Sequence, residues 1–217
     1  MIMSTTTFPP TPAQAPPSPP GGNAIKISVR AKPRSPDASR SGIWVGIFAI
    51  TMSFAAFTSA LFVRQASGDW THLVVPPLLY MNTVVLLISS FTLEISHRTI
   101  ARGLEVEASA LRSSLRWLSV TLALGLTFVA GQYLAWRKLA AQGLYLATNP
   151  NSSFFYVFTG MHGLHVLGGI AALAYLIGRL TGSRSAFRLS TFDATAIYWH
   201  FMGGLWLYLL LLIRTRL

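Results

Sequence analysis

Apolar residues in this chain come in five long runs rather than in short alternating ones. A period of two would mark half-buried strands; runs near 20 residues with few charges fit helices crossing a bilayer whose hydrocarbon core is about 30 Å thick. The runs cover residues 42–63, 73–93, 117–136, 153–178 and 194–213. The first holds no ionisable side chain, and the second is entered through Pro76-Pro77, where proline is tolerated in a first helical turn. The expected fold is all-α: an integral membrane bundle of five transmembrane helices, occupying residues 42–217.

Residues 1–41 read differently. "TTTFPPTPAQAPPSPPGG" is rich in Pro, Thr and Gly without apolar periodicity. Such a stretch buries too little surface to offset chain entropy, so a disordered Pro-rich tail is expected. A basic stretch, "KISVRAKPRSPDASR", follows it and suits anionic lipid headgroups. No compact apolar stretch with a small-residue cleavage site precedes Arg40, so a secretory signal peptide is not expected.

Composition agrees with a membrane protein. Of 217 residues 52% are hydrophobic and 11% charged, against about 25% charged in soluble domains; the mean hydropathy is +0.51. The absence of cysteine excludes disulfides, thiolate metal sites and cysteine nucleophiles. The net charge of +11 is unevenly placed. Five Lys/Arg precede the first span. Four (Arg98, Arg102, Arg112, Arg116) follow the second and three (Arg179, Arg184, Arg188) the fourth, twelve on one side. Arg64, Arg137, Lys138, Arg214 and Arg216 make five on the other. The positive-inside rule then puts the N-terminus in the cytoplasm and the C-terminus outside. The charge is an orientation signal, and no nucleic-acid partner is expected.

Secondary features fit the same picture. The segment 96–114, "SHRTIARGLEVEASALRSS", suits cytoplasmic extensions of the second and third helices; its mixed charge reads as a solvated face or as a docking surface for a partner subunit. Gly42 and Gly46, Gly160 and Gly163, Gly168 and Gly169, and Gly203 and Gly204 mark expected helix contacts. Trp44, Trp70, Trp117 and Trp136 fall near span ends, as interfacial anchors do.

Three histidines lie inside the apolar runs: His162 and His165 in the fourth, His200 in the fifth. Imidazoles are costly in hydrocarbon and persist with a partner, a ligand or a role. His162 and His165 are three apart and share nearly one helix face. The span boundaries put all three near the membrane midplane. They could ligate a metal or haem, relay protons, or bond between helices at roughly 0.6–2 kcal/mol each. No carboxylate is expected at their depth, since Glu94 and Asp193 fall near the cytoplasmic boundary. That favours the structural reading.

The motifs around these residues resemble a known family. "FFYVFTGMHGLHVLGG", residues 154–169, and "YWHFMGGLWLYLLLL", residues 198–212, are similar to the last two helices of subunit III of haem-copper respiratory oxidases, the cytochrome c oxidase subunit III family. "LYMNTVVLLISSFTLEISHRTI" and "FVAGQYLAW" resemble its second and third core helices. The resemblance covers residues 42–212 and points to the short, five-span bacterial form.

The resemblance implies an accessory, non-catalytic component of an oxidoreductase complex in the bacterial inner membrane. Its partners would be subunits I and II, which carry haem and copper, other respiratory-chain subunits, and phospholipid bound in a cleft between helices. The holoenzyme would reduce oxygen to water and pump protons. No cofactor or metal is expected in this chain. His162, His165, His200, Trp199 and Trp206 match the family motifs and would pack helices or shape the lipid cleft. Two departures stand out. Many members have Glu in the first core helix where this chain has Met52 or Ser53, and often Asp where it has Gly203. Both remove intramembrane acid. A subunit-III-like partner of a quinol oxidase or nitric oxide reductase, or a free-standing His-ligated haem or metal protein, is the alternative.

Overall fold

The computed structural model describes residues 38–66, 77–101, 108–145, 150–182 and 189–216. They form α1 (Ala38–Gln65), α2 (Leu78–Ala101), α3 (Ala108–Ala141), α4 (Pro150–Thr181) and α5 (Leu189–Arg216). Among the described residues there is no strand. All five helices are long and apolar enough to cross a membrane. The chain is a multi-pass, all-α membrane protein.

The helices outrun the apolar stretches that predict them, because in a membrane every backbone hydrogen bond must be closed within the helix. α3 has 34 residues, about 51 Å of rise. Much of its surplus is the polar first turns bearing Arg112 and Arg116. Its far end closes on Gly143, at φ 79°. There the Leu144 N–H donates to the Leu139 carbonyl at 3.1 Å and the Gly143 N–H to that of Ala140 at 3.0 Å. This is a Schellman ending, which glycine fits without strain.

α2 departs from expectation at its start. The predicted entry at residue 73 gives way to a helix beginning at Leu78. Pro77 makes the preceding turn, its carbonyl accepting from the Tyr80 N–H at 3.1 Å. A proline disfavours helix in the residue before it, so the Pro pair precedes the helix rather than opening it. α2 then runs to Ala101, beyond the predicted end at 93. The segment 96–114 is helical at both ends, in α2 and α3, and its centre, 102–107, lies outside the described residues. So do residues 73–76, Trp70 and the tail to residue 37; α1 begins at Ala38, within the expected tail.

α2 packs on α3 and α5, α3 on α4, and α4 on α5, closing a four-helix ring; α1 lies outside it against α4 and α5. Seven-residue recurrences line the interior. Leu79, Leu86, Leu93 and Ile100 of α2 are buried, as are Phe192, Trp199, Trp206 and Ile213 of α5. Thr121, Phe128 and Ala135 do the same on α3, and Phe155, His162 and Leu176 on α4. A period of seven is the signature of left-handed bundles with small crossing angles.

Polar ties join the α2–α3 pair. Ser96 and Ser114 hydroxyls meet at 2.7 Å and Thr92 and Thr121 at 2.9 Å. The Asn82 amide donates to the Phe128 carbonyl at 3.5 Å. Gly131 of α3 admits the Asn82 side chain into the space its own Cβ would occupy. By contrast Gly42 and Gly46 have nothing within 4 Å. Among the described residues the expected Gly-x-x-x-Gly contact is therefore not made. α1 turns Ile47, Ile50, Phe54 and Leu61 inward, which leaves its small residues on the outer face.

Gly131→Ala should therefore cost about 1–3 kcal/mol, lowering the midpoint of thermal unfolding in detergent followed by circular dichroism. Gly46→Ala should stay within about 0.5 kcal/mol of the parent. Equal effects at the two sites would contradict this packing.

Candidate functional site

The motif residues of α4 and α5 form the centre of the ring, and two indoles organise it. The Trp199 N–H donates to Ser89 Oγ of α2 at 3.1 Å. Its ring lies in notches made by Gly125 of α3 and Gly169 of α4, where an added Cβ would stand 2.7 and 3.0 Å from it. Trp206 repeats this one heptad along. Its N–H donates to Thr83 Oγ1 of α2 at 2.9 Å. Its ring meets Phe128 of α3 edge-on at 4.9 Å between centroids and His162 of α4 at 5.2 Å. Each indole thus touches all three other ring helices while satisfying its one donor.

His162 is fully buried, with Phe128 edge-on at 6.0 Å. Among the described residues neither of its ring nitrogens has a hydrogen-bond partner, which is also true of the buried amides of Gln132 and Asn151. His162 occupies a heptad position that an apolar residue could fill. His165, three residues on, sits at the edge of the ring. Its Nδ1 donates to its own helix at the Met161 carbonyl, 2.7 Å away, and its ring faces Phe54 of α1 at 6.1 Å. The His165 carbonyl accepts from the Tyr198 hydroxyl at 2.9 Å.

His200 lies elsewhere. It is six residues from Trp206 along α5, about 9 Å of rise, and its side chain is 42% exposed. His200 is thus set apart from the other two histidines: the two tryptophans fix the rotation of α5 and turn it outward. The expectation that no carboxylate accompanies them fails. Glu94 Oε2 stands 3.7 Å from His200 Nε2, and Glu94 Oε1 accepts from Arg98 Nε at 2.5 Å. Next to them, towards the α2–α3 connection, His97 Nε2 and Asp193 Oδ1 are 2.7 Å apart. The sequence offered one signal for this cluster, the i,i+4 spacing of Glu94 and Arg98. The cross-helix pairings depend on the α2–α5 register.

Trp136, expected as an interfacial anchor, is half-buried and donates to Thr159 Oγ1 at 3.0 Å. Met52 is exposed, and Ser53 donates to its own helix at Ala49. A Cβ at Gly203 would stand 3.3 Å from Ser90 Oγ. Among the described residues no group of three or more His, Asp or Glu side chains could hold a metal ion. A haem taking one imidazole from each of two helices would need His200 to face His162 or His165, and it does not.

Because both nitrogens of His162 are unpaired, His162→Leu should leave the thermal midpoint unchanged or raise it. His162→Ala should cost about 2–5 kcal/mol through the cavity it opens. A loss for His162→Leu as large as for His162→Ala, in the same detergent melt, would reveal a polar partner for the ring.

The family model for cytochrome c oxidase subunit III matches residues 41–215, which is the helical bundle almost end to end. A probable cytochrome c oxidase subunit 3 of Mycobacterium leprae is 33% identical over 202 residues, covering 88% of this chain and 94% of the relative. A cytochrome c oxidase subunit 3 of Thermostichus vulcanus is 30% identical over 201 residues, with the same coverage of each. A probable cytochrome c oxidase subunit 3 of Nocardia farcinica is 32% identical over 197 residues, covering 86% and 91%. With five membrane-length helices and both histidine motifs inside the matched region, the chain belongs to the cytochrome c oxidase subunit III family.

Proposed function

We propose that this chain is the accessory, non-catalytic subunit III of an aerobic haem-copper terminal oxidase. The holoenzyme reduces oxygen to water and pumps protons; this subunit stabilises subunit I and holds phospholipid between its helices. It lies in the bacterial inner membrane with its N-terminus cytoplasmic, the side that carries twelve of seventeen Lys/Arg by the span assignment above.

One observation carries the reading. The residues that make the motifs recognisable are used for packing within the chain: Trp199, Trp206 and His162 fill the ring interior, and the imidazoles of His162, His165 and His200 diverge. The chemistry therefore falls to neighbouring subunits, which supply the haem and copper. Lipid is supported by the exposed apolar faces of α1 and α4, among them Phe48 and Leu164.

Two measurements test this. Purification in mild detergent should yield the chain with a haem-bearing subunit, while the chain alone should lack a Soret band. A Soret band in the isolated chain that His162→Ala or His200→Ala abolishes would overturn the proposal. Removing phospholipid from the complex should shorten its catalytic lifetime more than it lowers its initial rate. Equal loss of both would count against the lipid role.

A further inference from the structure

The Arg214 Nη1 donates to the Tyr80 hydroxyl at 2.5 Å where α5 ends beside the start of α2. A cation and a phenol so placed suit a membrane interface. Glu94 follows Tyr80 by fourteen residues and His200 precedes Arg214 by fourteen, so the Glu94–His200 pair lies about 21 Å deeper. In a hydrocarbon core about 30 Å thick it is still roughly 9 Å inside the opposite boundary. Yet the pair is open: the side chains of Glu94 and His200 are 34% and 42% exposed.

Acids and bases at this depth almost always face protein or water rather than acyl chains. The exposed Trp44, Phe48 and Met52 of α1 and Leu164, Leu167 and Tyr175 of α4 are apolar or aromatic; the one base among them in sequence, His165, is half-buried and bonds to its own helix at Met161. The seam between α2 and α5 differs in shape as well. His200, Gly204, Leu207 and Leu211 form an exposed stripe at helical spacing. Gly204 has nothing within 4 Å of the position of a Cβ, and beside it Gly203 lies against Ser90. The result is a low floor flanked by the exposed Leu87 and Phe91. Small residues of this kind let a second backbone approach. Glu94 Oε1 is occupied by Arg98, but Oε2 is 3.7 Å from His200, too far for a hydrogen bond.

We propose that the α2–α5 seam seats a transmembrane helix of a partner subunit, whose hydroxyl, amide or indole donates to Glu94 beside His200. This rests on the subunit reading above and names the surface through which the subunit assembles. A seated helix removes the pair from lipid and supplies the missing donor; its backbone runs over Gly204.

The chain has no cysteine, so single substitutions report one position each. Gly204→Cys and Leu207→Cys, carrying a benzophenone maleimide and illuminated in the purified complex, should form adducts with another oxidase subunit. Phe48→Cys and Leu164→Cys should label lipid. An intact complex whose seam cysteines label only lipid overturns the surface and leaves the subunit reading standing. A chain that purifies with no other subunit overturns both. Glu94→Gln and Gly204→Leu provide a second readout. Each should leave helical content unchanged and lower retention of the chain on the complex by on the order of fivefold. Unchanged retention in both counts against the proposal.

Discussion

The bundle depends on two indoles of α5, one heptad apart, each touching α2, α3 and α4. Between helices in lipid there is no hydrophobic drive to associate, since acyl chains are as apolar as leucine. Shape and hydrogen bonds must supply the specificity instead. Trp199 does so by occupying the glycine notches at Gly125 and Gly169 while donating to Ser89. Trp206 does so by meeting Phe128 edge-on and His162 at a tilt while donating to Thr83. Each donor finds a hydroxyl on α2, and the spacing of Ser89 and Thr83 sets the α2–α5 register. Everything else along that seam inherits it, including the Tyr80–Arg214 contact at one end and the His97–Asp193 pair near the other.

That dependence explains what the sequence could and could not say. The five spans were legible because hydrocarbon demands long apolar runs, and no tertiary detail changes that demand. Their ends were less legible: α3 continues through Arg112 and Arg116 because a started helix keeps its backbone bonds, while Pro77 delays α2 to Leu78. Glycines were visible, but what faces them was not. Gly42 and Gly46 look like a contact motif and have nothing within 4 Å of an added Cβ among the described residues, whereas Gly125 and Gly131 carry the closest approaches. The seven-residue recurrence of Leu79, Leu86, Leu93 and Ile100, and of Phe192, Trp199, Trp206 and Ile213, was the signal that could have told these faces apart.

The histidines show the same limit at finer scale. Spacing correctly gives His162 and His165 neighbouring directions on α4, but 60° of helix rotation is enough to send one into the ring and the other towards α1. The depth of His200 was inferred from span ends alone. Its surroundings follow from the rotation of α5, which the indoles set. That Glu94 meets His200 was not legible, because the two stand about a hundred positions apart in sequence.

A division of labour follows for a subunit of this kind. Trp199, Trp206 and His162 of the motifs are spent inside: fully buried, they hold four helices together and offer no surface to a neighbour. Recognition by other subunits must then fall to side chains that the internal packing leaves over. On α1 and α4 these leftovers are apolar and interchangeable with lipid. On α2 and α5 they include an acid and an imidazole that lipid cannot satisfy, above a glycine floor that a second helix can approach. The same indoles that close the core also fix which charged groups are left outside it, so the core sets the outer surface. A substitution that shifted the α5 register would disturb assembly through Glu94 and His200 even where the bundle itself survived.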